Sequence, residues 1–430
     1  MRSLITRRKW LLGLANGAGA ALVTRVGFSH AAGAAKSLHG RWDAVVIGAG
    51  VFGAWTAWNL RRRRQRVLLI DAWGAGNARA SSGGESRMTR TAYGPDEVYT
   101  RMAFESLTDW RWLSARSGLP IFHRLGVLFF FSRLEPYVNQ TLDVHRRLGI
   151  PIQELQKGEL ARRFPQFSWD GIELGLYEPQ LGALMARRAV QTLVKEFVAA
   201  GGEYRLAAAA PAPAGMGAPA KPGARLDTLA LADGTQVSAG NFVFACGPWL
   251  PKLFPDVLGA RIFVTRQEVF FFSPPAGDAR FQPGAMPGWA DFNGGDIYYG
   301  FPDLEARGVK VAHDGHGALM DPDAGDRVFS GPALEAVRAF MRRRLPALAP
   351  RALNEARVCQ YENSSNGDFL IDRHPALSNV VLLGAGSGHG FKHGPAVGRY
   401  TAQLVLGELP AREPRFALAT KADTQHRAVL

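Results

Sequence analysis

The chain has 430 residues, of which 47% are hydrophobic and 20% are charged, so a wholly disordered protein is excluded and two domains can each bury a core. The formal net charge is +14, but residues 1–35 contribute five basic residues and no acid, which leaves +9 for the rest of the chain. Neither zinc-finger spacing nor an aromatic RNA-binding signature accompanies this charge, so nucleic-acid binding is not expected.

Residues 1–35 have the pattern of a targeting signal. Arg7 and Arg8 stand before an apolar stretch that runs to about Val23, and small residues follow at 31–35. A basic start, a short apolar region and a small-residue end are typical of a secretory signal peptide, and the stretch is too short for a good membrane anchor. The adjacent arginines resemble a twin-arginine signal, whose machinery exports folded proteins. We therefore expect export to the periplasm or beyond; the alternative is an uncleaved amphipathic tail.

A G-x-G-x-x-G motif follows the first predicted strand, at 44–47, and leads into a predicted helix. Its members are Gly48, Gly50 and Gly53. Glycines at this spacing allow a tight turn, close approach of a pyrophosphate and close packing of the helix on the strand. A second predicted strand ends at Asp71, where a ribose hydroxyl would be held. These residues predict a dinucleotide site without distinguishing NAD from FAD; the alternative is an incidental glycine-rich turn.

Farther along the chain, periodicity and turn residues predict alternating helices and strands. Helices are expected at 98–117, 136–148, 186–200, 331–345 and from about 395. Strands are expected at 226–231, 235–237, 241–245, 261–273, 296–301 and 379–383, the first two joined by a turn at Asp233-Gly234. Residues 207–224, rich in alanine, proline and glycine, are interpreted as a surface insertion without function. The pattern predicts an α/β (α+β) fold, in which a sheet-rich domain is inserted into a Rossmann-like nucleotide domain.

The chain has two cysteines, Cys246 and Cys359. An exported protein with two cysteines can pair them. However, each lies in a segment that has its own explanation, so a disulfide is the weaker interpretation.

Three segments resemble one family of enzymes. They are GGESRMTRTAY at 83–93, YYGFPDLEARGVK at 298–310, and the long block at 359–393, which contains a second glycine-rich turn. Together they resemble the monomeric sarcosine oxidase group, which includes N-methyltryptophan and pipecolate oxidases within the D-amino-acid-oxidase fold of flavoproteins. The resemblance extends from Trp42 to about Leu406, and it implies FAD rather than NAD as the cofactor.

The resemblance also implies how the chain is divided. The FAD-binding domain would consist of 42–95, 177–255 and 359–415, and the substrate domain of 96–176 and 256–358. A monomer is implied as well.

Individual residues acquire roles from the same resemblance. Cys359 occupies the position where these enzymes attach the flavin through a thioether; the alternative is a buried free thiol. Arg90 and Lys392 resemble the pair that binds the substrate carboxylate. Residues implied near the reacting centre are Arg87, Tyr299, Lys310 and His313. Lys310 resembles the lysine that promotes reaction of the flavin with oxygen. His313 is offset by one position from the family's histidine. Glycines implied at the border of the flavin are Gly386, Gly388 and Gly390.

Two stretches depart from the family pattern. Residues 81–84 read Ser-Ser-Gly-Gly where the family usually has histidines, and Asp314 stands where some relatives have the active-site histidine. The expected activity is FAD-dependent oxidation of a small secondary amine or amino acid to an imine, with oxygen reduced to hydrogen peroxide. One alternative is a dehydrogenase that passes electrons to another acceptor; another is a flavin-binding protein without turnover.

Overall fold

The structure is a computed structural model that describes residues 41–210, 223–293 and 296–425. The expected signal, 1–35, lies outside the described residues, as does most of the predicted insertion at 207–224. No helix in the described part of the chain is long and apolar enough to cross a membrane.

Strands and helices alternate along the described chain. The strands are β1 (Trp42–Ile47), β2 (Val67–Asp71), β3 (Ser86–Thr89), β4 (Phe122–Arg124), β5 (Val127–Phe131), β6 (Gln153–Gln156), β7 (Leu174–Glu178), β8 (Gly182–Met185), β9 (Glu203–Leu206), β10 (Thr228–Ala230), β11 (Gln236–Phe244), β12 (Ile262–Phe272), β13 (Gly288–Asp291), β14 (Tyr298–Phe301), β15 (Val309–His313), β16 (Leu353–Ser364), β17 (Leu370–Arg373) and β18 (Val380–Gly384). The helices are α1 (Val51–Arg62), α2 (Glu97–Ala115), α3 (Pro136–Leu148), α4 (Lys157–Arg163), α5 (Ala186–Ala199), α6 (Leu250–Leu253), α7 (Pro255–Leu258), α8 (Gly331–Arg344) and α9 (Gly394–Leu406).

A seven-stranded sheet contains the glycine motif. Its order is β17-β18-β11-β1-β2-β9, with β10 paired to β11 outside this row. Strands β18, β11, β1, β2 and β9 are parallel, and β17 is antiparallel to β18. Successive side chains of a strand point to opposite faces, so Val46 packs in the core with α1 and α9, and Val45 packs in the core on the other face. Because both faces are buried, these strands are almost continuously apolar. The Rossmann-like fold predicted from the sequence is confirmed.

An eight-stranded sheet forms the β-rich middle of the chain. Its order is β16-β12-β15-β14-β13-β5-β7-β6, and its pairs are antiparallel except for β13 with β5. In β5, Phe130 packs in the core that includes Phe340 of α8, and Phe129 packs in a second core on the opposite face. A small third sheet has the order β3-β8-β4; β3 precedes α2 in the chain, and β4 and β8 follow it.

The predicted helices agree well with the structure, but one strand prediction was wrong. Residues 241–245 do not form a separate strand, because β11 runs without a break from Gln236 to Phe244. Gly240 marks no interruption: a Cβ at this position would lie 3.0 Å from the backbone oxygen of Asp43, so glycine lets the strand pass close to the start of β1. The predicted two-domain bounds stay a prediction.

Candidate active site

A cavity lies at the carboxyl ends of the parallel strands β1, β2, β11 and β18. We call it the glycine-lined cavity; the residues that define it are Gly48, Gly50, Asp71, Cys246, Gly384, Gly386, Gly388 and Gly390. In open α/β sheets this edge is where nucleotides bind, because the strand ends and the helix N-termini meet there.

The three glycines of the G-x-G-x-x-G motif have different tasks. Gly48 has φ +103°, and a Cβ there would lie 2.3 Å from the backbone oxygen of Ala245. A Cβ on Gly53 would lie 1.9 Å from the backbone oxygen of Gly48. Gly50 is not crowded in this way, since its Cβ would meet only the Ser82 hydroxyl at 3.5 Å. Packing therefore requires Gly48 and Gly53, and Gly50 keeps the backbone accessible from the cavity.

Asp71 is partly enclosed at the end of β2. Its carboxylate accepts hydrogen bonds from the backbone N–H groups of Ala49 (2.8 Å), Trp73 (2.9 Å) and Gly74 (2.8 Å). Burial raises the pKa of Asp71 despite these three donors. The side chain lines the cavity next to the glycine motif, but its predicted contact with a ribose hydroxyl stays a prediction.

The residues of the cavity fit a dinucleotide. The first N–H groups of a helix lack partners within the helix and attract phosphate, and α1 begins at Val51 directly beside the open backbone of Gly50. Small side chains at 207–209 also line the cavity. The prediction of an insertion without function is therefore corrected at its start: Ala207 and Ala209 also pack against the sheet core.

The second glycine-rich turn, 384–390, completes the cavity. Ala385 and Ser387 adopt positive φ values of 54° and 46°, which non-glycine residues rarely do. A Cβ on Gly388 would lie 2.7 Å from the Tyr361 ring, and a Cβ on Gly390 would lie 2.8 Å from the Phe52 ring. The turn can therefore approach the cavity closely only because these positions are glycine.

Sequence reasoning missed Glu362, a buried acid on β16 that also lines the glycine-lined cavity. Its Oε1 atom is buried and has no hydrogen-bond partner within the described residues. Burial raises the pKa of Glu362 to about 8, against the opposing effect of the backbone N–H groups of Ala385 and Gly386. Strand alternation gave no signal for it, because Gln360 and Tyr361 line the same cavity as Glu362.

A second pocket adjoins the first cavity and shares Arg87 and Tyr361 with it. We call it the cationic pocket because Arg87, Arg90 and Lys392 line it. The apolar part of its wall is formed by Met88, Phe129, Val269, Ala290, Phe292, Ile297 and Phe391. A small apolar space with a few converging charges is typical of a site for a small molecule.

Arg87 lies at the junction of the two spaces. Its guanidinium donates to the backbone oxygens of Ser81 (2.6 Å) and Ser86 (3.0 Å), and Nη2 lies 3.5 Å from Cys359 Sγ. A Cβ on Gly84 would lie 2.6 Å from Nη2 of Arg87. Where the family usually has histidines, the Ser-Ser-Gly-Gly sequence thus supplies a carbonyl acceptor and space for the guanidinium.

Arg90 and Lys392 come together, as the sequence predicted, around Tyr93. The Arg90 guanidinium carbon lies 3.9 Å from the centroid of the Tyr93 ring, and Lys392 Nζ lies 5.2 Å from it. Lys392 Nζ also donates to the backbone oxygen of His389 at 2.8 Å. Both cations are buried, so a bound anion would meet little competition from water.

Lys310 is enclosed on β15 and donates to the backbone oxygen of Ser86 at 3.1 Å. Its Nζ lies 5.1 Å from the centroid of the Tyr299 ring, and Tyr299 lines the cationic pocket. Burial, together with the positive charge of Arg87, lowers the pKa of Lys310 to about 7. Lys310 itself is not among the described residues that line the two spaces. Its role with oxygen stays a prediction.

The structure does not bring His313 into the cationic pocket, which corrects the prediction for this residue. The His313 side chain is 41% exposed, and its Nε2 lies 3.0 Å from Asp296 Oδ1. Its ring stacks on Tyr298 at a centroid distance of 4.9 Å, whereas Tyr299 points to the pocket. Because successive residues of a strand point to opposite sides, an offset of one residue places His313 on the wrong face. Asp314 lines the pocket instead.

Both cysteines are free thiols, so the weaker interpretation, a disulfide, is not realised. Cys359 lines the cationic pocket beside Arg87. Cys246 lines the glycine-lined cavity, where burial raises the pKa of its thiol.

Known proteins match almost the whole described chain. The family model described as DAO, "FAD dependent oxidoreductase", matches residues 43–404. Monomeric sarcosine oxidase of Streptomyces avermitilis is 31% identical over 370 residues, covering 85% of this chain and 94% of that protein. N-methyl-L-tryptophan oxidase of Citrobacter koseri is 27% identical over 373 residues, covering 86% and 96%. Among solved structures, L-proline dehydrogenase from P. horikoshii has a TM-score of 0.74 at 18% identity, covering 87% of this chain and 96% of that one.

Proposed function

This chain belongs to the family of FAD dependent oxidoreductases, as its motifs predicted, and we propose that it oxidises the CH–NH bond of a small amino acid, with oxygen reduced to hydrogen peroxide. N-methyl and other secondary amino acids are the substrates we expect first, since sarcosine oxidases and N-methyl-L-tryptophan oxidases are among the similar proteins. The observation that carries the proposal is the buried Arg90–Lys392 pair beside the cofactor cavity.

FAD is the cofactor of this family, and the glycine-lined cavity fits it. Gly50 and the start of α1 would hold the pyrophosphate, and the turn at 384–390 would border the flavin. When bound, FAD supplies the acceptor for the hydride that the substrate carbon loses. The protein contributes binding, orientation and electrostatics around it.

The cationic pocket is suited to an amino acid. Arg90 offers a planar set of N–H donors, and Lys392 adds a second positive charge, so a carboxylate can be held by both. Apolar walls exclude water and accept a side chain or an N-methyl group. Because the pocket shares Arg87 and Tyr361 with the cofactor cavity, a substrate held by its carboxylate would present its carbon–nitrogen bond toward the flavin.

Oxygen as the acceptor is supported by Lys310. A cation near a reduced flavin stabilises the negative charge that develops as oxygen takes its first electron. Lys310 is enclosed between Ser86 and Tyr299, close to the pocket. With a pKa near 7 it can carry that charge at neutral pH.

An anaerobic screen tests the proposal. The holoenzyme is mixed with amino acids, their N-methyl derivatives and the matching decarboxylated amines, and bleaching of the flavin absorbance is recorded. We expect N-methyl or cyclic amino acids to bleach it, and admission of oxygen to restore the colour with formation of hydrogen peroxide. Bound FAD that no amine bleaches would refute the enzyme and favour a flavin-binding protein without turnover. Bleaching without recovery in oxygen would favour a dehydrogenase.

A further inference from the structure

We propose that Asp314 binds the amino group of the substrate, opposite the Arg90–Lys392 pair that binds its carboxylate. The inference rests on the proposed function and adds the second anchor of the amino acid. It also identifies what the pocket selects: a ligand with a carboxylate and a hydrogen-bond-donating amine on neighbouring atoms, in preference to a simple carboxylic acid.

Asp314 is the one acid among the described residues that line the cationic pocket. It follows directly after β15, and its backbone N–H donates to the backbone oxygen of Ile297 at 2.7 Å, which fixes the turn. Ile297 is itself part of the pocket wall. The backbone of Asp314 is therefore tied to the residue that directly precedes β14.

The Asp314 carboxylate has capacity for a ligand. The Tyr361 hydroxyl donates to its Oδ1 at 2.9 Å, and within the described part of the chain this is the carboxylate's only hydrogen bond. A carboxylate has two oxygens and about four acceptor positions, so several are left for a donor from the substrate. Burial and the negative charge of Asp314 keep the pKa of Tyr361 well above its ordinary value, so this hydroxyl remains protonated as a donor.

Charge balance supports the same assignment. Two arginines and a lysine, Arg87, Arg90 and Lys392, line the pocket with this single acid, and His389 lines it as well. An amino acid brings one negative and one positive group. Its carboxylate is attracted to Arg90 and Lys392, but its ammonium group would be repelled by the same cations unless an anion were near. Asp314 is that anion, and Tyr361 places it where the pocket meets the cofactor cavity.

Two ligands of equal shape distinguish binding of the amino group from binding of the carboxylate. 2-Aminoisobutyrate has no hydrogen on its α-carbon, so it binds without being oxidised, and pivalate is the same molecule with a methyl group in place of the amine. Dissociation constants for both are measured on the holoenzyme from the perturbation of flavin absorbance. The variants are Asp314→Asn and Arg90→Met, and the control is His313→Asn, which alters the exposed neighbour outside the pocket.

We expect Asp314→Asn to raise the dissociation constant of 2-aminoisobutyrate about tenfold to a hundredfold, because a hydrogen bond to a charged group is lost. The dissociation constant of pivalate should stay unchanged or fall. Arg90→Met should weaken the binding of both ligands, and His313→Asn should change the binding of neither. If Asp314→Asn changes both ligands alike, Asp314 only balances the charge of the pocket and the inference is wrong. If neither ligand binds the unaltered holoenzyme, the carboxylate site fails first, and the proposed function with it. Flavin content of each variant verifies folding.

Discussion

Arg90 and Lys392 are about three hundred residues apart in the chain, yet both hold their charged groups over one ring, that of Tyr93, at 3.9 and 5.2 Å from its centroid. The Tyr93 hydroxyl is hydrogen-bonded to His393 Nε2 at 2.8 Å and approaches His389 Nδ1 at 3.2 Å. The aromatic face stabilises two neighbouring cations that would otherwise repel each other. The Tyr93 ring thus holds together the two cations of the proposed carboxylate site.

Removal of either cation should therefore weaken substrate binding. Arg90→Met and Lys392→Met each lose a charge-assisted donor, which costs about 1.5–3 kcal/mol, or roughly ten- to a hundredfold in kcat/KM. Most of the loss should appear in KM, because the carboxylate is bound alike before and during hydride transfer. Steady-state kinetics measure the effect, with the exposed Arg101→Met as the control. Equal turnover of an amino acid and its decarboxylated amine by the unaltered enzyme would contradict the carboxylate site.

Covalent attachment of the flavin is predicted at Cys359. Its Sγ lies 3.5 Å from Arg87 Nη2, in the pocket that adjoins the cofactor cavity, and it is a free thiol. We expect the yellow colour to stay with the protein after acid precipitation, and Cys359→Ser to release the flavin or to yield apoprotein. Cys246→Ser, which alters the other cysteine, should keep the colour with the chain. Release of the colour from the unaltered protein would disprove the covalent bond without affecting FAD binding.

Lys310→Met should separate the two half-reactions. Flavin reduction by the substrate should stay near normal, and reoxidation by oxygen should slow, because the cation near the reduced flavin is lost. In the unaltered enzyme the pKa of Lys310 is lowered to about 7 by burial and by Arg87, so the charged fraction falls as pH rises through 7. The rate constant for reoxidation should then fall by about tenfold per pH unit above 7, provided that the charged form is required. Stopped-flow traces from pH 6 to 9 measure this, and an unchanged oxygen rate in the variant would count against Lys310.

Export is proposed to depend on Arg7 and Arg8. Their replacement by lysine should leave protein in the cytoplasm with an unchanged flavin content, because folding precedes transport on the twin-arginine route. Fractionation of cells followed by immunoblotting locates the protein. Continued export of the Lys-Lys variant would indicate the general secretory route instead.

Local sequence patterns predicted the parts of the site that depend on backbone geometry. The glycine motif, Asp71 and the turn at 384–390 are positioned by the ends of parallel strands, so their place follows from the order of elements. Strand β5 was not predicted, because its sequence, VLFFF, is buried on both faces and lacks any alternation. His313 was misplaced because the face on which a strand residue lies depends on the register with β14, which the sequence does not reveal.

Glu362 is a second residue whose environment the sequence does not reveal. On β16 it stands between Tyr361, which lines the cationic pocket, and the polar residue Asn363. Its burial arises from a contact with the distant turn at Gly384, where a Cβ would lie 2.4 Å from Glu362 Oε1. Only the three-dimensional structure reveals a carboxyl group that is enclosed in this way.

Glu362 should make the stability of the protein fall with rising pH. Burial raises its pKa from 4.5 to about 8, so the folded chain holds a proton that the unfolded chain releases. The stabilising contribution is complete below pH 4.5 and is lost as pH rises toward 8, by up to about 1.4 kcal/mol per pH unit. Glu362→Gln keeps the shape without the charge, so its melting temperature should exceed that of the unaltered protein by a margin that grows from pH 5 to 8. Circular dichroism melts measure it, with the exposed Glu335→Gln as control. A margin independent of pH would show that Glu362 is ionised in the folded protein.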